Sequence, residues 1–325
     1  EKWSYQAGLR SETVEVTADT NAVKSFSNDY VELYPSAFVT YTPSEKNLYQ
    51  VSYSRRVDRP GISQVNPIRE GSTPLISSYG NTELQPQFTN SIEANYTRNF
   101  EKGSITGGVF FRSINDEINR ALFIDRTDFN KVILTYDNFD NTSAYGFEIS
   151  SNYKPTNWWS FNASFDLYSQ TQTGITETLN DTGDVPPTVD DITTQKIEVD
   201  NVAWNFRMFN NFSVTKDLTL SAFVFYRGKN KGLQFEVEPM YFVNLGARYN
   251  LWDGKGTFSI NYNDIFNTMK FAFEGSSPYP SQGEFNWESN TVYVGLSYRF
   301  GGGKYRAKSR KHRDNNEKSG SGGLF

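Results

Sequence analysis

No cysteine occurs among the 325 residues, which removes thiolate nucleophiles, Cys-ligated zinc and disulfides from consideration. Histidine is reduced to His312. It sits in a polar C-terminal stretch, so neither a His-based triad nor a multi-His metal site is available. No run of 18 apolar residues is present and the mean hydropathy is −0.62. That excludes a membrane-spanning helix but not membrane-spanning strands, which show lipid only every second side chain. A global basic field is also missing: 32 Lys and Arg face 37 Asp and Glu, a formal charge of −5, and nucleic acid is not the expected partner. The chain opens in strand-like text, without a basic n-region, an apolar h-region or a cleavage site. This suits a chain whose leader has been removed or one that starts partway through a longer protein.

What the chain has in excess is aromatic residues, 16% of the total with 20 Tyr and 26 Phe, a mixture that suits strands better than helices. The excess is arranged with period two. In 291–300, Val292, Val294, Leu296, Tyr298 and Phe300 share one face and Thr291, Gly295, Ser297 and Arg299 the other, with Tyr293 alone blurring the polar side. The same alternation runs through 145–153, 159–167, 204–214, 217–226, 241–249 and 257–263. Noisier versions fall at 3–16, 34–43, 47–56, 88–100 and 103–114. Twelve crossings are predicted. A soluble sandwich or propeller also alternates, so the connections decide. Short polar turns at 44–46, 101–103, 154–157, 215–216 and 251–254 alternate with long segments at 17–33, 57–87, 115–143, 170–201, 227–240 and 264–290. Short turns on one side and long loops on the other are how outer-membrane barrels are built, the short side being periplasmic. Trp158, Trp159, Trp252 and Phe300 gather at strand ends, as an aromatic girdle requires. The fold class is therefore all-β: a transmembrane antiparallel up-and-down β-barrel over 1–300, followed by a disordered basic tail, 301–325, in the periplasm.

Several segments resemble the TonB-dependent receptors, in the branch where a carboxypeptidase-regulatory-like domain and a plug precede the barrel. Gly80-Asn81-Thr82-Glu83-Leu84-Gln85-Pro86-Gln87 looks like that family's "GNxxLxPE" entry to a strand, with Gln87 in place of the usual Glu. Asn263-Asp264-Ile265-Phe266-Asn267-Thr268 looks like its "DIFNT" box. Tyr145-Gly146-Phe147-Glu148 looks like its "YGxE" strand start, and Val292–Gly303 like its last strand. The resemblance covers about residues 1–303 and implies the C-terminal part of a barrel of twenty-two strands. The ten earlier strands would need roughly 250 residues. It also implies uptake of a solute through a plugged barrel in the Gram-negative outer membrane, energised by a TonB-type complex.

Polar side chains of the alternating strands are expected to line the lumen, chiefly Glu93, Arg112, Glu148, Asp166, Arg207, Arg248 and Arg299, with Asn95, Asn152, Asn162, Asn205, Asn244 and Asn261 among them. Solvation is their plain role, and holding a plug is the one the resemblance implies. Tyr279, Phe285 and Trp287 are loop candidates for stacking on a ligand, against the plainer alternative of packing on a neighbouring loop. Asp181, Asp184, Asp190, Asp191 and Glu198 make 170–201 acidic without matching an EF-hand, and a solvated loop is preferred over a calcium site. No nucleophile motif, catalytic residue or cofactor is expected, and the protein is read as no enzyme, although a carboxylate pair of the glycosidase type is the enzymatic alternative. The alternative function on the same fold is a secretion, assembly or adhesion component that imports nothing. Expected partners are outer-membrane lipid, the TonB-type complex, and a surface lipoprotein or other envelope proteins.

Overall fold

The computed structural model describes residues 2–20, 23–180 and 187–300. Twelve strands form one antiparallel meander in strict chain order. They are β1 (Trp3–Thr20), β2 (Val23–Ser44), β3 (Asn47–Asp58), β4 (Gln87–Phe100), β5 (Gly103–Ile124), β6 (Val132–Tyr153), β7 (Trp159–Leu179), β8 (Ile192–Ser213), β9 (Leu218–Arg227), β10 (Met240–Leu251), β11 (Gly256–Asn263) and β12 (Thr291–Tyr298). Each predicted crossing overlaps one of them, with 204–214, 217–226 and 291–300 overrunning β8, β9 and β12 by one or two residues. Among the described residues β1 and β12 each pair with a single neighbour, so the sheet is open. No described helix is long and apolar enough to cross a membrane.

The five short turns lie where the sequence puts them, all at one end of the sheet. At the other end the expectation needs correction. Segment 17–33 is not a loop, because β1 and β2 stay paired from Trp3↔Tyr41 to Thr20↔Val23. Likewise β5 and β6 pair out to Ile124↔Val132, and β7 and β8 out to Leu179↔Ile192. A membrane crossing takes about 9–11 residues of strand, which β9 meets with 10, β11 and β12 miss by one with 8 each, and strands of 20 residues or more exceed about twofold. The excess must stand above the membrane. There both faces of a strand meet water or another loop, the lipid-facing row loses its reason to be apolar, and period two fades from the sequence.

One face of the crossing region is apolar and exposed: Val51, Ile92, Val109, Phe147, Trp204, Leu220, Leu245, Ile260 and Val294 all lie on it by register. A contiguous patch of this kind belongs against lipid, not water. Close to the short turns it ends in touching rings. Trp3 meets Tyr41 (4.4 Å), Tyr41 meets Tyr49 (6.3 Å) and Tyr49 meets Tyr96 (4.8 Å). Further round, Phe100 meets Tyr153 (5.8 Å), Tyr153 meets Phe161, and Phe161 meets Trp159 (5.3 Å). This is the girdle the strand-end tryptophans predicted.

Tyr145 does not start a strand; it lies in the interior of β6. The Gly146 beside it is required by packing, since a Cβ there would come within 2.3 Å of the Leu167 carbonyl oxygen and 2.7 Å of the Tyr168 side chain. Gly146→Val should therefore force β6 from β7 and leave most of the protein unfolded in outer-membrane fractions, read by heat-dependent gel mobility. A folded yield equal to wild type would show the strands have room to spare.

Candidate functional site

The face opposite the apolar one carries the polar row. Register aligns Ser52 with Glu93, Ser91 with Arg112, Glu148 with Asp166, Asp166 with Asn205, and Asn205 with Arg227, and between β5 and β6, where Arg112 faces Ala144 and Glu148 faces Gly108, the Arg112–Glu148 pair links the row from β3 to β9. Arg112 Nη2 lies 3.2 Å from Glu148 Oε1 and 3.6 Å from Glu93 Oε1, and its guanidinium sits 4.1 Å from the Phe110 ring centre. The Ser91 hydroxyl donates to Glu93 (2.9 Å), and Asn205 Nδ2 donates to Asp166 (2.6 Å). Arg112 and Glu148 are more than a third exposed. Such pairs contribute at most about 1 kcal/mol each, and what they establish is the polarity of the face. The structure therefore brings Glu93, Arg112, Glu148, Asp166 and Arg207 onto one surface, Arg207 opposite Ser164. Arg248 continues it on β10 opposite Thr219 and Ser259. Arg299 lies one residue beyond β12, its N–H bonded to the Lys255 carbonyl.

Higher on the same side the polar row becomes a network around Glu117, which accepts hydrogen bonds from Thr142 Oγ1 and from Gln172 Nε2 (2.8 Å). Above it the connections β9–β10 and β11–β12 build a separate four-stranded sheet from Asn230–Lys231, Phe235–Val237, Lys270–Gly275 and Ser281–Asn286. This sheet is tied to the tall hairpins. The Gln234 carboxamide accepts from Leu122 N–H (2.7 Å) and donates to Leu122 O (2.9 Å), completing the free edge of β5 as a strand would. Leu233 packs with Ala121 and Phe139, and Ser277 donates to the Glu177 carbonyl (2.7 Å). Buried Glu177 accepts from Ile124 N–H (2.9 Å) and pairs with Arg126.

The three loop aromatics do not converge. Tyr279 is half-buried and donates its hydroxyl to the Phe129 carbonyl at the tip of the β5–β6 hairpin. Phe285 is exposed and packs on Phe271 and Phe273 (6.1 and 6.3 Å), and Trp287 is exposed beside them. Tyr279 contacts a neighbouring loop, as the packing alternative has it, whereas Phe285 packs within its own loop. Asp181 and Asp184 lie outside the described residues. Asp191 is buried and accepts from Thr188 N–H and Oγ1, so it closes a turn. Among the described residues no group of three or more His, Cys, Asp or Glu could hold a metal ion.

The motif residues hold loops. Asn81 Nδ2 donates to the Tyr136 carbonyl (3.0 Å) while its Oδ1 accepts from Glu83 N–H. Leu84 is fully buried with Phe26 and Val65. Gln87, where the related pattern has Glu, accepts from Ile118 N–H (2.9 Å), a task that either side chain can perform. A Cβ at Gly80 would come within 2.5 Å of the backbone of Gln64 and Asn66, so the turn admits only glycine. At the other box, Asp264 has φ 44° and is buried. Its carboxylate accepts from Thr268 N–H, Met269 N–H and Ser289 Oγ (2.9, 2.9 and 2.7 Å). Burial alone would raise the Asp264 carboxyl, but the donors from Ser289, Thr268 and Met269 outweigh it and hold it below the ordinary range.

The sequence reading missed Arg227, Gln234 and Glu177. A signal for the first existed: Phe223 and Phe225 stand on the polar face of β9, beside Phe242 of β10 (5.9 and 5.1 Å), where a merely solvated wall has no use for them.

Comparison with known proteins agrees with this geometry. A family model described as "outer membrane protein beta-barrel family" matches residues 1–298. No curated protein matches the chain. Among solved structures, the siderophore receptor PiuA from Acinetobacter baumannii superposes with a TM-score of 0.60 at 18% identity, over 91% of this chain and 41% of that one. The ferric-catecholate import receptor Fiu from E. coli K12 gives 0.57 at 16% identity, over 92% and 42%. The FrpB iron transporter from Neisseria meningitidis gives 0.54 at 14%, over 92% and 42%. At these identities the likeness is one of fold, and the chain spans about two fifths of the length of the receptors it matches.

Proposed function

The chain belongs to the outer membrane protein β-barrel family, and on that premise we propose that it forms the later strands of a receptor-type transporter. In this reading the receptor takes a solute at the cell surface and passes it inward through a plugged lumen, with energy delivered by a TonB-type complex. The observation that carries the reading is the open sheet. A self-contained barrel closes by pairing its first strand with its last, whereas β1 and β12 each keep a free edge among the described residues. Nearly all of the chain overlays on two fifths of receptors from three organisms. A larger barrel uses both free edges, and a larger barrel is what a plug requires.

The polar row from Glu93 to Arg248 then faces the lumen, and the sheet built by the β9–β10 and β11–β12 connections lies over it on the outer side. The basic tail 301–325 lies outside the described residues, and in this reading it follows β12 on the periplasmic side. The experiment is solute accumulation in cells with and without the gene, each with and without a protonophore. Loss of accumulation of one solute on deletion, and equal loss in wild type on collapsing the proton gradient, is the expected result. Gene-dependent accumulation that survives the protonophore would contradict energised import and leave a passive pore.

A further inference from the structure

Arg227 ends β9 on the polar face, in register with Asn205 and Met240. The arginines of the neighbouring networks are paired: Arg112 with Glu93 and Glu148, Arg55 with Glu32, Arg126 with Glu177. Arg227 is different. Its Nε and Nη2 are both sealed from solvent and neither has a hydrogen-bond partner. The nearest carboxylate along the row, Asp166, is already engaged by Asn205 Nδ2 at 2.6 Å.

These two nitrogens are chemically a set. Nε–H and the adjacent Nη2–H point the same way along one edge of the planar guanidinium, at the spacing of the two oxygens of a carboxylate. Arginine cannot shed its proton to relieve the situation, and burying such donors without acceptors is unfavourable. The surroundings are aromatic. The Phe271 ring centre lies 5.9 Å from Arg227 Cζ, and Phe225 and Phe242 stack at 5.1 Å in the next row down. The Tyr168 phenol lies near both the Asn205 amide and Arg227.

We propose that Arg227 is a binding site for a carboxylate carried on an aromatic body, which displaces the contacts that now seal Nε and Nη2 and takes that edge side-on, with Phe271, Phe225 and Phe242 holding the ring. This names a substrate class for the transport reading and rests on it. Aromatic rings and a guanidinium edge in one place select for both parts of such a ligand: the edge rejects the neutral amide, and the rings favour a flat apolar body over a hydrated small anion.

The test uses the whole native protein in detergent, titrated with benzoate and, as the neutral isostere, benzamide. Saturable benzoate binding is expected, with benzamide at least tenfold weaker. Arg227→Met should weaken benzoate at least tenfold, and Phe271→Ala, which lies in a loop strand outside the membrane-crossing sheet, several-fold. Arg98→Met, on the opposite face of β4 beside a short turn, should leave binding unchanged. Folding of each variant is checked by heat-dependent gel mobility, and if Arg227→Met does not fold, Phe271→Ala and the benzamide comparison decide. No benzoate binding in wild type, equal affinity for benzamide, or equal loss in Arg98→Met each overturns the site. Protonophore-sensitive import that is indifferent to Arg227→Met would also sink the site while leaving the transport reading standing. Arg227-dependent benzoate binding in a protein whose accumulation ignores the protonophore would do the reverse.

Discussion

Asp264→Ala should lower the stability of the folded protein by about 3 kcal/mol. The carboxylate at the end of β11 accepts from Thr268 N–H and Met269 N–H and holds Ser289 from the far side of the β11–β12 connection. Hydrogen bonds to a charged group contribute about 1.5–3 kcal/mol each, and removing the shared acceptor orphans several donors at once. Asp264 also pins its own ends, its N–H on Asn244 Oδ1 (2.8 Å) and its carbonyl on Asn290 Nδ2 (2.7 Å). These backbone bonds survive in the alanine variant, which should therefore be destabilised, not unfolded. Asp264→Asn should fall between, because the amide keeps one acceptor oxygen and presents N–H groups where a donor already stands. The measurement is the midpoint of heat-dependent loss of folded gel mobility.

The same carboxylate sets a pH dependence. Its folded pKa is held below the ordinary value, so it stabilises the fold above the unfolded carboxylate pKa, near 3.9. That contribution is lost as pH falls through the folded value. The acid limb of the wild-type stability profile should accordingly flatten in Asp264→Ala below about pH 4. An unchanged limb would assign the acid sensitivity to other carboxylates.

Glu177→Ala is the second large effect, and a local one. Glu177 is 3% exposed and satisfies both Ile124 N–H and Arg126, bridging the tall β7 to the tip of the β5–β6 hairpin. Its removal leaves a buried N–H and a cation without their acceptor. The cost is about 2 kcal/mol after allowing for the half-exposed Arg126, or roughly thirtyfold more frequent opening of the hairpin tip. Protease cleavage within 125–131 on intact cells should accelerate by about that factor, while the thermal midpoint of the crossing strands barely moves. Glu177→Gln, which keeps an acceptor for Ile124, should recover part of the loss. A fall in the thermal midpoint as large as that of Asp264→Ala would show that the hairpins and the barrel wall unfold as one unit.

The contrast between these two sites also explains what was legible in the sequence. Where strands cross lipid, solvent imposes period two, and Val292, Val294 and Leu296 or Phe258, Ile260 and Tyr262 declare their face without any knowledge of neighbours. The polar row followed from the same rule, which is why Glu93, Arg112 and Glu148 fall on one surface. Above the membrane no such rule acts. Residues 23–33 have Ser27 and Asp29 on one face and Asn28 and Glu32 on the other and read as loop, yet they are paired out to Val23. The Gln234 clasp on Leu122 joins residues 112 positions apart, and no local pattern announces a contact of that range. Motif glycines and acids were visible as motifs, but their work was not: Gly80 as a close approach to the backbone of Gln64 and Asn66, and Asp264 as a clamp on Ser289, depend on partners that no local pattern names. The aromatics at 223, 225 and 242 were readable exceptions to the polar face, and they mark the place where the wall does more than meet water.

The central claim is that the sheet crosses the outer membrane with its short turns inside and its tall hairpins outside. The absence of cysteine makes this directly measurable, since single introduced thiols have no background. Asn130→Cys at the β5–β6 tip, and separately Lys46→Cys, Lys102→Cys and Lys216→Cys at three short turns, are treated with a membrane-impermeant maleimide on whole cells and again after outer-membrane permeabilisation. The account predicts that position 130 labels on intact cells and that 46, 102 and 216 label only once the membrane is opened. Labelling of the short-turn positions on intact cells, with position 130 protected, would invert the molecule, and equal labelling of all four would remove it from the membrane.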